Sequence, residues 1–216
     1  MEIGDREKME VRHLGLGAAA TEDAGGEEPP LRLRRALQAL LACGWRTLVL
    51  IVGRHIHQPV GNVGRCIHFA DGTSAEVYRE TVIDCPPPQR LAVLVVCFRL
   101  RGVRRGWGHR LFRLESELNT VLFAGFPGLV SKLWLGHDQR GLYRGFYQWD
   151  DPGQAVAYVR ALWWVLAVVG EPGSIHYAVL PGLDRDEVVA NPDLVDTLVT
   201  APGGWWRPAR GSARST

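Results

Sequence analysis

An α+β fold is what this sequence predicts, and three observations predict it. Between Leu91 and Leu180 the apolar pattern runs strand, helix, strand, strand, helix, strand, which is the split βαβ order of a ferredoxin-like βαββαβ unit. The strand segments are short apolar or alternating runs, while the helical ones carry a 3.6-residue stripe. Ahead of the unit, residues 31–53 have helical spacing and residues 64–83 read as a β-hairpin around Asp71-Gly72, a strong turn signal. The expected organisation is therefore a disordered leader (1–30), a helix-plus-hairpin extension (31–90), an α+β domain (91–183) and a C-terminal tail (184–216).

The elements follow in order. Residues 1–30 are rich in Gly, Ala, Glu and Asp and end in Pro29-Pro30, a composition that buries little. Leu31, Leu33, Ala36, Leu37, Leu40 and Leu41 then follow helical spacing, and the apolar run continues to Val52. Gln38, Gly44 and Arg46 interrupt it, which argues against a membrane span. The helix is expected to dock on the main domain or a partner, or to lie on a membrane surface. After the hairpin, Cys85-Pro86-Pro87-Pro88 ends regular structure.

Leu91 to Leu100 is almost continuously apolar, as in a strand buried on both faces. A basic, glycine-punctuated loop (102–108) leads into a helix over 109–124, with Leu111, Leu114, Leu118, Val121 and Leu122 as its stripe. Strands are expected over 129–135 and 142–149, around the loop His137 to Gly141. Asp150-Asp151-Pro152 places an acidic cap and a proline at a helix start. A helix over 154–169 and a strand over 174–180 complete the unit. Asp184 to Val199 suggests one short helix, and Trp205-Trp206 sits in a Gly/Pro/Arg tail that otherwise reads as loose.

The chain has 216 residues, 25 basic and 23 acidic, for a net charge of +2. Such a balance gives no global attraction to nucleic acid. The basic residues are almost all Arg; only Lys8 and Lys132 are Lys. Cys43, Cys66, Cys85 and Cys97 form no CxxC pair, which fits a reduced, cytoplasmic setting. Met1 to Glu10 lacks the basic start and apolar core of a signal peptide.

Three stretches carry a resemblance: Pro127-Gly128-Leu129-Val130-Ser131-Lys132-Leu133-Trp134, Gly141-Leu142-Tyr143-Arg144-Gly145-Phe146-Tyr147, and Ala155-Val156-Ala157-Tyr158-Val159. Residues 91–181 resemble the dimeric α+β barrel superfamily, which includes the antibiotic-biosynthesis monooxygenases, and more closely its YdhR-type members. The resemblance implies a homodimer in which two four-stranded sheets face each other as a barrel. It also implies a pocket between sheet and helices, and chemistry without an organic cofactor, either oxygenation or cyclisation of a polyketide-like substrate. The family has no shared catalytic set, and residues 31–83 lie outside its pattern.

The candidate site residues come from strand and helix parity. Tyr143, Gly145, Tyr147 and Trp149 share one face of their strand; Arg144, Phe146 and Gln148 share the other. Tyr143, Tyr147 and Trp134 could line a site for a small, flat, apolar molecule, or fill a core or dimer interface. Glu115 falls on the apolar stripe of its helix, with Asn119 beside it. Its carboxylate could serve as acid or base, or pair with Arg99 or Arg113. Arg144 or His176 could meet developing negative charge, with Arg99 and Asn119 contacting substrate. The run Arg99, Arg101, Arg104, Arg105, His109, Arg110, Arg113 could hold an anion or be a solvated loop. His55, His57 and His68 lack the acidic or cysteine partners of a metal motif, so no metal and no cofactor are expected. Two functions stand side by side: a cofactor-independent tailoring enzyme, or a non-catalytic module that binds a small molecule, a partner or a membrane surface.

Overall fold

The computed structural model describes residues 29–101, 123–198 and 204–211. It opens with helix α1 (Leu33–Val52), followed by strands β1 (Ile56–His57), β2 (Cys66–Phe69), β3 (Ser74–Ile83) and β4 (Ala92–Arg99). Strands β5 (Leu129–Leu135) and β6 (Leu142–Trp149), helix α2 (Pro152–Val169) and strand β7 (His176–Pro181) come next. Two short helices, α3 (Arg185–Ala190) and α4 (Asp193–Leu198), and strand β8 (Pro208–Ala209) complete the described chain.

All strands join one antiparallel, curled sheet in the order β7-β4-β6-β5-β3-β2-β8, with β1 paired to β3. The architecture is thus mixed α/β on an antiparallel sheet. Residues 102–122, where the first helix of the expected unit falls, lie outside the described residues, as do Glu115 and Asn119.

Local sequence accounts for most boundaries. Asp71-Gly72 turns the β2–β3 hairpin, with Gly72 at φ 81°, a region that costs glycine nothing. Asp151 caps α2, its carboxylate accepting from the N–H groups of Gly153 and Gln154, while Pro152 opens the helix. Through β3 pairing with β5 the hairpin continues the main sheet. The single helix expected after Asp184 is two helices, divided at Asn191-Pro192, because Pro192 lacks the N–H that would continue the first.

The sheet buries both faces. On one side Leu94, Val96, Trp134, Tyr147 and Trp149 pack under α1 and α2. On the other, Val93, Val95, Leu133, Phe146, Ala178 and Leu180 are fully buried against Phe69, Val77, Val188, Val195 and Trp206. The tail is anchored at Trp206. This residue is 1% exposed, and the strand after it pairs with β2, because the second core needs a large apolar lid. On that second face α3, α4 and Trp206 of the chain itself cover the sheet.

Helix α1 is inverted relative to its leucine pattern. Its inward stripe is small: Ala36, Cys43 and Thr47 are buried, while Leu37, Leu41 and Trp45 face outward. Close approach explains the choice. A Cβ on Gly125 would sit 2.1 Å from the Cys43 carbonyl oxygen and 2.7 Å from the Thr47 nitrogen, so a large side chain has no room at these two positions, while Leu40 and Leu50 pack half-buried against the core.

Candidate functional site

A cavity of about 110 Å³ lies between the helix-facing side of the sheet and α2. One water needs roughly 10–15 Å³ by the same measure, so the space takes a small organic molecule or several waters. Val96 and Phe98 of β4, Tyr143 of β6, and Leu162 and Leu166 of α2 give it apolar walls. Strand alternation puts Tyr143 and Tyr147 on this side, the placement that parity predicts.

Lys132 is the chemically distinctive group on that wall. It is 5% exposed, and its Nζ lies 3.2 Å from the centroid of the Trp134 ring, 4.2 Å from that of Phe123 and 4.6 Å from that of Tyr147. The β5 alternation sets Lys132 and Trp134 on the same face. In the ladder Lys132 stands opposite Thr81 on β3 and Tyr147 on β6, and Trp134 stands opposite Arg79 and Gly145. The Arg79 guanidinium covers Trp134 at 4.1 Å, and the Trp134 indole N–H donates to the Thr81 hydroxyl at 3.1 Å.

Loss of hydrating water drives the Lys132 amine well below its ordinary pKa, and the positive charge of Arg79 adds to that push. No carboxylate among the described residues forms an ion pair with it. Both effects shift Lys132 toward the neutral amine, the form in which lysine is a base and a nucleophile.

Two further features shape the cavity. A Cβ on Gly145 would lie 2.7 Å from the Tyr147 ring, so glycine there leaves Tyr147 its position beside Lys132. The Tyr158 hydroxyl donates to the Tyr147 hydroxyl at 3.2 Å. Burial raises the pKa of both phenols, which keeps them protonated at neutral pH.

The other expected site residues are not gathered here. Arg144, His176 and Arg99 belong to strand positions that face the opposite side of the sheet. The side chain of Arg144 is fully buried and spent on structure: Nη1 donates to Asp138 at 2.6 Å, Nη2 to Thr73 at 3.0 Å and Asp71 at 3.2 Å, and Nε to the Trp205 carbonyl at 2.9 Å. Burial alone would raise the Asp138 pKa, yet hydrogen bonds from Arg144 and from the N–H groups of Leu142 and Arg140 hold it below the usual carboxylate value.

His176 packs on Trp205, ring centroids 5.8 Å apart. Arg99 pairs with Glu171 at 3.4 Å and donates to the Arg140 carbonyl. His57 meets Asp84 at 2.9 Å, and His55, just before β1, meets the same carboxylate at 3.5 Å. Trp134, Tyr143 and Tyr147 thus share the cavity, while Arg144, His176 and Arg99 cluster on the far face. The basic run from Arg104 to Arg113 lies outside the described residues.

Lys132 and Arg79 were missed as site residues. The available signal was compositional. Lys132 is one of two lysines in a chain otherwise supplied with arginine, and it interrupts an apolar strand on the face it shares with Trp134.

No family model matches this sequence, and no curated protein matches it either. Two solved structures are similar in part. One is an uncharacterized ferredoxin fold protein related to antibiotic biosynthesis monooxygenases from Listeria monocytogenes 4b F2365. It is 11% identical, with 58% of this chain and 90% of that chain covered, at a TM-score of 0.37. The other is a major regulator of staphylococcal pathogenesis, 14% identical, with 63% of this chain and 91% of that chain covered, at a TM-score of 0.34. At this distance neither likeness bears on chemistry.

Proposed function

We propose that this chain takes a small apolar carbonyl compound into the cavity and promotes its enolisation through Lys132, without an organic cofactor. One observation carries the reading: a buried amine, boxed by aromatic rings and unpaired with any described carboxylate, sits on the wall of an apolar cavity.

The chemistry follows from that placement. The Nζ lone pair removes a proton from the carbon next to the carbonyl, and the electron pair moves onto the carbonyl oxygen. The amine becomes an ammonium ion beside the enolate it has made. That ion pair is net neutral, so it suits an apolar site better than either charge alone. The faces of Trp134, Phe123 and Tyr147 stabilise the new cation further. An enolate so formed can attack a second carbonyl in the same molecule, which is cyclisation, or react with O2, which is oxygenation. Both belong to tailoring chemistry on polyketide-like substrates. Tyr143 and Phe98 would flank a flat ligand, their rings already stacked 6.1 Å apart.

The test uses a small aryl β-ketoester in D2O, with proton loss at its α-carbon followed by NMR. The full chain should speed exchange about a hundredfold over the Lys132→Met variant, the usual size of general-base catalysis. Equal rates with both proteins folded would remove Lys132 from any enolising role and leave a binding cavity.

A further inference from the structure

The outward face of α1 is a large apolar surface that nothing in the described chain covers. Leu37 is 51% exposed, Leu41 75%, Trp45 70% and Val52 84%. Trp164 and Val168 of α2 extend it, and the Trp164 indole N–H donates to the Leu31 carbonyl at the start of α1. Isolated exposed apolar residues are ordinary, but a contiguous patch of this kind marks a docking surface.

Charge identifies the occupant. Arg32, Arg34, Arg35, Arg46 and Arg54 are all exposed along and beside the helix, and residues 29–70 contain no Asp or Glu. A second copy of the chain would bring arginines against arginines with no carboxylate on either helix to meet them. An anionic lipid surface answers both halves of the pattern, since headgroups pair with the guanidinium groups while the large apolar side chains enter the acyl boundary.

We propose that α1 lies flat on an anionic lipid surface, with Leu41, Trp45 and Val52 inserted and the flanking arginines on the headgroups. Helices α1 and α2 are each long and apolar enough to cross a membrane. Flat docking differs in keeping Ala36, Cys43 and Thr47 on the protein, with only the opposite face in lipid. A tryptophan at the centre of the exposed face suits the interface, where its ring is half apolar and half wet.

The test is sedimentation of the full chain with mixed phosphatidylglycerol–phosphatidylcholine vesicles and with phosphatidylcholine vesicles alone. Binding is expected to the anionic vesicles and should fall at least about tenfold in high salt. The L41D/W45D double variant should lose binding with an unchanged melting temperature, because both side chains are exposed. R34E/R35E should weaken it by about tenfold or more. Failure of the full chain to bind anionic vesicles would overturn the proposal, as would equal binding by L41D/W45D. A lipid-free dimer by light scattering that L41D/W45D converts to monomer would assign the face to a second copy instead, and would overturn it too.

Discussion

Replacing Asp138 by alanine should destabilise the protein severely without touching the cavity. The Asp138 carboxylate is fully buried and accepts from Arg144 at 2.6 Å, from the Arg140 N–H at 2.8 Å and from the Leu142 N–H at 3.0 Å. Its removal leaves the buried Arg144 guanidinium with Asp71, at 3.2 Å, as its one charged partner among the described residues, and two N–H groups of the β5–β6 turn without the acceptor they now use. Breaking a buried ion pair from one side costs about 3–5 kcal/mol. At this chain length each kcal/mol moves Tm by about 2–4 °C, so a drop on the order of 10 °C is expected in a calorimetric melt.

The pH dependence has a definite sign. The folded Asp138 pKa is lowered, so its stabilisation is fully present above the unfolded value, about 3.9, and is lost as pH falls through the folded value. The alanine variant should therefore show a flatter acid limb than the parent. Arg144→Met should destabilise to a similar degree, for it takes the buried Asp138 carboxylate's ion-pair partner away. A Tm within about 2 °C of the parent for Asp138→Ala would refute the reasoning. It would mean that water or another acceptor reaches this cluster.

Lys132→Met should stabilise the protein by about 1–3 kcal/mol at neutral pH, because the buried amine loses hydration on folding. The folded pKa of Lys132 is depressed below its unfolded value of about 10.4, so the unfolded chain binds more protons between the two. Parent stability should rise with pH across that window, and the Met variant should lack the slope; denaturant titrations at several pH values decide this. Gly125→Ala should lower stability by about 1–3 kcal/mol through overpacking, since its Cβ meets the backbone of α1; a melting curve that matches the parent would mean α1 moves freely off the sheet. Gly145→Val should displace the Tyr147 ring and slow ketoester exchange while the protein stays folded; unchanged exchange would place the reacting ligand elsewhere.

Much of the fold was legible because its signals are local. Asp71-Gly72 and Asp151-Pro152 act within a few residues, and the parity of Tyr143 and Tyr147 survives wherever β6 is placed. The site was legible only in half. Parity within β6 separates Tyr147 from Arg144, but it does not say that Lys132 of β5 and Arg79 of β3 will meet across a shared tryptophan. That meeting depends on register between strands more than fifty residues apart. Arg144 looked available because its partners, Asp71 and Trp205, come from the hairpin and the tail. Helix α1 misled for a similar reason. Its leucines follow a core-like period, yet Gly125 comes so close to Cys43 and Thr47 that only small side chains fit there, while Leu37 and Leu41 face outward.

The central claim is that Lys132 is a neutral amine exposed to a ligand cavity, and the sequence makes it directly measurable. With Lys8 and Lys132 the only lysines, a protein grown on lysine carrying carbon-13 at Cε gives two side-chain signals, and Lys132→Arg assigns one of them. The account predicts that this signal titrates well below the ordinary lysine value of about 10.4 and shifts when the aryl β-ketoester is added. A Lys132 signal that titrates at the ordinary value and ignores the ketoester would contradict it.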